Sequence, residues 1–187
     1  MIIEKSKNKI ISAAFIEKTP AGSLALAATD KGLARLFFCT RKDYDAFLAE
    51  NHLSADASSA IVKEAANQVE EYFKGKRSEF DLPLDLTGQT PFRTKVLREC
   101  ARIPFGRVLT YADLAGKAGS PKASRAAGGA MAHNPMALII PCHRVVGSDK
   151  GLHGFSSPGG LKTKATLLTL EGVAVEKERI KGEVKLL

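Results

Sequence analysis

The sequence predicts a mixed α/β (α+β) protein in two parts: a small antiparallel sheet with a helix in residues 1–88, and a mainly helical domain in residues 89–187. Three observations lead there. Short apolar runs punctuated by turn residues occupy positions 10–39, apolar residues at helical spacing follow, and charge divides between the same two parts. Residues 1–88 carry 12 Lys and Arg against 13 Asp and Glu, whereas residues 89–187 carry 16 against 7. All the excess positive charge therefore lies in the second part. It is either a solvated basic surface or the footprint of a polyanion such as nucleic acid.

The first part opens with three apolar runs, 10–16, 23–28 and 33–39, separated by Thr19-Pro20-Ala21-Gly22 and Thr29-Asp30-Lys31-Gly32. Runs of that length between such turns predict an antiparallel meander. Ile61, Val62, Ala65, Ala66, Val69, Tyr72 and Phe73 then recur at helical spacing, with Gly75 placed to end the helix. Residues 80–86 read as a linker or edge strand, because Pro83 cannot donate to a central ladder. No chemical constellation stands out in this part, and Asp43 and Asp45 read as surface residues.

In the second part Thr90 can cap a helix with Pro91 at its first position and Phe92, Val96, Leu97, Cys100 and Ile103 as its buried stripe. Pro104-Phe105-Gly106 ends it. A short helix from Tyr111 runs to the turn at Gly119, and Ser120 with Pro121 is placed to start a second helix. Two short helices about a Gly-containing turn match the helix-turn-helix pattern. Ala and Gly dominate the second helix, so its backbone can approach a surface closely; the same residues also suit tight helix packing. Lys122 and Arg125 are its outward-reaching side chains. Residues 151–160 form a Gly-rich loop without the Gly-Lys-Ser/Thr of a P-loop, and read as a pocket wall. A helix over 161–171, ending at Gly172, follows.

Cys39, Cys100 and Cys142 are far apart and odd in number, which argues against a disulfide framework and for a reducing compartment. With His52 they make no four-ligand zinc set, so no metal is expected. The first residues lack an apolar core of signal-peptide length and no run approaches a membrane span, so the expectation is a cytoplasmic protein with no membrane contact.

The stretch Ile139-Ile140-Pro141-Cys142-His143-Arg144-Val145-Val146 carries the chemistry and reads as a short buried strand leading into a turn. Burial alone raises a thiol's pKa; an adjacent imidazole, direct or through a water, lowers it and supplies a reactive thiolate. The plainer reading is a structural Cys beside a His that caps a loop.

Pro141-Cys142-His143-Arg144-Val145-Val146, preceded by residues 125–131 and Asn134-Pro135, resembles the O6-alkylguanine-DNA alkyltransferases (methylated-DNA–protein-cysteine methyltransferases). The likeness runs from about Gly106 to Ser156 and resumes over 161–172. It implies a ribonuclease-H-like N-terminal domain and a winged-helix-like C-terminal one. Cys142 would be the alkyl acceptor, His143 its base through a water, and Glu171 the group that orients His143. Asn134 would tie the recognition helix to the active-site strand, and Tyr111 would donate its phenol to the flipped guanine. Arg125 would fill the gap left in the base stack. Lys122, Ser120, Ala112, Arg93 and Ser148 would contact DNA, while Met131, Val145, Phe155 and Ser156 would line the base pocket. The implied activity is single-turnover repair without a cofactor. A monomer would bind duplex DNA through the minor groove and take a methyl or other alkyl group from O6-alkylguanine, and also from O4-alkylthymine. Two departures stand out: Phe155 occupies a position where many members have Tyr, and Ser157-Pro158 is a small insertion. Three rivals remain. A non-catalytic lesion binder of the same scaffold would lack the acceptor that Cys142 supplies. A DNA-binding regulator has no use for the thiol, and an unrelated cysteine hydrolase leaves the basic half unexplained.

Overall fold

The computed structural model describes residues 9–54 and 58–181. Strands β1 (Ser12–Ile16), β2 (Leu24–Ala28) and β3 (Leu33–Phe38) form an antiparallel sheet in the order β1-β2-β3, the meander expected from the turn-punctuated runs. Every residue of β2 is buried, and strand alternation explains how. Leu24 and Leu26 share a core with Val62, Ala65 and Val69 of helix α2 (Ala60–Phe73), while Ala25 and Ala27 on the other face pack with Tyr44 of helix α1 (Arg41–Glu50).

Helix α1 was not expected. Its signal is local: Thr40 accepts from the Asp43 N–H while the Asp43 carboxylate accepts from the Thr40 N–H, a capping box. Tyr44 and Phe47 then fall on one face, where Tyr44 stacks on Phe15 at 5.1 Å and Phe47 meets Phe37 edge-on at 5.4 Å.

Two distant segments pair with the outer edge of β3. The Leu33 N–H donates to the Pro83 carbonyl and the Asp85 N–H to that of Leu33, so the Pro-containing 80–86 run contributes one parallel bridge. Gly32 permits this approach, since a Cβ there would sit 2.4 Å from the Pro83 oxygen. Farther along, the Leu36 N–H donates to Pro135 and the Ala137 N–H to Leu36, at 2.9 and 2.7 Å. The second half of the chain thereby continues the sheet of the first and covers an edge that would otherwise offer free backbone groups.

Helix α3 (Pro91–Ala101) starts as expected, with the Thr90 hydroxyl accepting from the Arg93 N–H. Strand β4 (Leu109–Thr110) leads into α4 (Tyr111–Lys117), and α5 (Ser124–Ala132) follows. Ser120 does not cap α5, contrary to the sequence reading. The Ser120 N–H reaches back to the Ala115 carbonyl with Gly119 at φ +80°, so Ser120 closes α4. Pro121 and Lys122 lie in the turn, and Ala123 is the N-cap, with no side-chain bond. The segment 139–146 is also not one strand. Cys142–Arg144 form a single 3₁₀ turn after Pro141, and only Val145–Val146 (β5) pair, in parallel with β4. Pro141 has no N–H, and Leu138 is held at φ +69°, so this chain turns before it can extend.

Helix α6 (Gly160–Leu170) is followed by a hairpin of β6 (Val175–Glu176) and β7 (Arg179–Ile180) that the sequence reading did not include. Its Glu178 carbonyl accepts from Leu152 and its Ile180 N–H donates to Lys150, bracing the loop that follows β5. One apolar cluster runs from Leu24 through Tyr72 and Cys100 to Cys142 and Leu167, so the two halves share a core. Among the described residues no helix is long and apolar enough to cross a membrane.

Candidate active site

The 3₁₀ turn sets Cys142 at the floor of a pocket of about 280 Å³, whose walls include Tyr111 from α4, Met131 from α5, and Phe155 and Ser156 from the Gly-rich loop. The Ser156 hydroxyl pins that loop to the Ala132 carbonyl, and Phe155 meets Phe38 of β3 with ring centroids 6.1 Å apart. Val145, expected in the wall, is not there; it is buried in the core, and its carbonyl accepts from Lys164. A second, wider groove of about 600 Å³ lies beside the pocket and shares Tyr111 and Gly128 with it. Arg125, Ala112 and Ser148 line this groove, whereas Lys122, Ser120 and Arg93 line neither cavity. Arg93 is half-buried and donates to Gln89.

Asn134 follows the end of α5 and ties two segments together. Its amide donates to the Ile140 carbonyl at 2.7 Å, and its oxygen accepts from the Met136 N–H at 3.0 Å. This fixes the turn from which Cys142 projects.

Behind the thiol, His143 Nε2 lies 2.8 Å from Glu171 Oε1. A carboxylate can only accept here, so Nε2 carries the hydrogen and Nδ1 the lone pair. Nδ1 is buried and has no hydrogen-bond partner among the described residues. The Glu171 carboxylate takes four further hydrogen bonds: Tyr72 Oη and Arg144 Nη2 on Oε1, and Arg144 Nε and the Gly106 N–H on Oε2. Gly106 sits at φ +70°, where a Cβ would come within 2.9 Å of the Glu171 backbone oxygen. Arg144 also donates to the Ile103 carbonyl, so each of its three guanidinium nitrogens has a partner. Burial drives the Glu171 pKa up, but the His143 and Arg144 donors more than reverse that and hold it at about 2.

The resting thiol departs from expectation. Burial pushes the Cys142 pKa up, and the Asn134 amide, the Lys164 cation and the Cys142 and His143 backbone N–H groups only partly offset this. Burial likewise holds His143 below its ordinary value, despite Glu171. The low dielectric penalises both charged forms, so the resting pair is a neutral thiol and a neutral imidazole. Burial, with Cys142 and Cys100 nearby, pushes the Tyr111 phenol to about 12, which keeps it a donor. Lys164, missed in the sequence, is fully buried, donates to the Val145 and Leu152 carbonyls at 2.6 and 2.5 Å, and is lowered to about 8 chiefly by burial. Tyr72 and Arg144 were missed as well. The Cys-His-Arg triplet gave a signal for Arg144, whereas Tyr72 read as one more core residue of α2.

The fold and the site define a protein with a buried Cys-His turn backed by a carboxylate, whose thiol lines a pocket that shares two wall residues with a groove carrying Arg125. Residues 91–173 match the family described as 6-O-methylguanine DNA methyltransferase, DNA binding domain, and residues 11–86 match its ribonuclease-like domain. The chain is 37% identical over 163 residues to a constitutive methylated-DNA–protein-cysteine methyltransferase of Bacillus subtilis, covering 86% of this chain and 96% of that one. It is 42% identical over 158 residues to that of Methanosarcina barkeri, covering 83% and 94%. Among solved structures it resembles the Mycobacterium tuberculosis O6-methylguanine methyltransferase (36% identity, TM-score 0.72, 86% and 92% covered). It also resembles a M. tuberculosis OGT in complex with DNA (35% identity, TM-score 0.73, the same shares). This chain belongs to the methylated-DNA–protein-cysteine methyltransferase family.

Proposed function

We propose that the protein repairs DNA by moving a methyl or other alkyl group from O6-alkylguanine to Cys142, once per molecule. The observation that carries this reading is the junction of the two cavities: Tyr111 and Gly128 belong both to the groove that holds Arg125 and to the pocket that holds Cys142. A duplex lying against α5 through its minor groove can then deliver one extruded nucleotide to the thiol. Extrusion costs a few kcal/mol, and Arg125 at the edge of the groove is placed to fill the vacated stack. The small residues of α5 suit a groove about 6 Å wide.

The chemistry follows from the neutral resting pair. The Cys142 proton passes through a water to the lone pair on His143 Nδ1, while Glu171, already ionised, steadies the imidazolium through Nε2. The thiolate attacks the alkyl carbon in line, an S–C bond forms as the C–O bond breaks, and the guanine anion takes a proton from the Tyr111 phenol. The His143 proton then restores Tyr111, so guanine leaves neutral and the only lasting change is a thioether. Water cannot reverse it. The same pocket takes O4-alkylthymine, and the working unit is a monomer. The test is mass spectrometry after mixing with an oligonucleotide carrying O6-methylguanine. A gain of one methyl on Cys142 supports the reading; an unmodified Cys142 on excess substrate overturns it.

A further inference from the structure

We propose that Tyr72, on α2 of the N-terminal half, is a positioning residue for the transfer at Cys142: its hydroxyl fixes the Glu171 carboxylate against His143, so part of the working site comes from the other half of the chain. The inference rests on the proposed function for the rate that it tunes, and on geometry for the rest. Tyr72 is fully buried, and its ring is held by Phe73, Phe80 and Phe105 at 5.2, 5.6 and 6.1 Å between centroids. A phenylalanine would fill that space equally well. The hydroxyl instead reaches 2.8 Å to Glu171 Oε1, the same oxygen that receives His143 Nε2 and Arg144 Nη2.

Three donors on one oxygen spread its charge and fix its direction. The oxygen therefore steers the imidazole without taking its proton, and each added donor weakens its hold on the imidazolium. The charged and titratable groups around His143 are Cys142 and Arg144 on its own turn, Lys164 and Glu171 from α6 and its cap, and Tyr72 from α2. Tyr72→Phe alters only the last of these.

The experiment compares the unmodified protein with Tyr72→Phe in two measurements: the single-turnover rate on free O6-benzylguanine across the acid limb of its pH profile, and the NMR titration of the His143 ring. With one donor gone, Oε1 holds the imidazolium more strongly. Both midpoints should then rise by roughly half a unit to one unit, the size of an ordinary net hydrogen bond. Thermal melting checks that the variant is folded. Superimposed midpoints, or a loss of rate that is uniform in pH with an unchanged His143 titration, would reduce Tyr72 to a core residue. If the unmodified protein transfers nothing, the proposed function falls, and the titration still decides the role of Tyr72.

Discussion

Glu171→Gln keeps the shape of the side chain at the centre of the site and removes its charge. The carboxylate accepts five hydrogen bonds and, among the described residues, is the one acidic partner of the buried Arg144. An amide oxygen can replace one carboxylate oxygen, but the amide nitrogen then faces other donors, and Arg144 loses its counter-charge. Removing one member of a buried pair costs about 3–5 kcal/mol. Linkage gives a compatible figure: a carboxyl held at about 2 against an ordinary 4.5 contributes about 3 kcal/mol. Because the folded value is the lower one, that stability is complete above the unfolded value and is lost as pH falls from 4.5 toward about 2. Urea unfolding near neutral pH should therefore show Glu171→Gln less stable by about 3 kcal/mol, with the gap closing on acidification. Transfer should slow by about 10²–10⁴-fold. Adding Arg144→Met should restore part of the stability, by removing the stranded cation, and none of the rate. Equal stability at neutral pH, or a gap that is undiminished at about pH 2.5, would refute the account of this carboxylate.

Cys142→Ala should abolish alkyl uptake and leave duplex affinity nearly intact, because a small neutral group is lost; Cys39→Ala and Cys100→Ala should still gain the methyl by mass spectrometry. His143→Ala should slow transfer by about 10²–10⁴-fold. Since burial raises the Cys142 thiol, recovery at high pH should begin only above the ordinary thiol value, and a rate profile that is flat in pH would contradict His143 acting as base. Lys122→Ala should weaken binding to all duplexes and reduce the log–log salt slope by about one unit. Arg125→Ala should slow repair at saturating duplex while sparing free O6-benzylguanine; equal rates on both substrates would leave Arg125 as a charge only.

What the sequence made legible was local in origin. Turn residues between short apolar runs and the Thr90-Pro91 cap defined elements through contacts a few residues long, and these appear where expected. Two expectations failed through competition for the same groups. Ser120 could cap α5 only if it were free of α4, and Gly119 in the left-handed region commits it to α4. Cys142 could lie in a strand only if Pro141 and Leu138 allowed extension. The likeness to a known family led to His143 and Glu171, which the structure brings within 2.8 Å. It did not lead to Tyr72 or Lys164, because a buried phenol and a buried lysine stem look like packing until their polar ends find partners far along the chain. The expected drop in the thiol pKa failed on magnitude: desolvation outweighs the nearby polar groups.

The pairing of Leu36 with the segment around Met136 has a consequence for how the protein comes into being. That bridge joins residues a hundred positions apart, and the segment that makes it begins at Asn134 and continues into Ile140 and Cys142. Contacts between residues so distant in sequence carry a loop-closure cost and form late. The meander and α2, built from near neighbours, can be complete while the second half is still being synthesised. The Cys142 thiol then acquires its surroundings only when the later segment docks on a finished β3. Until that bridge forms, Cys142 lacks the surroundings that bury it in the folded chain.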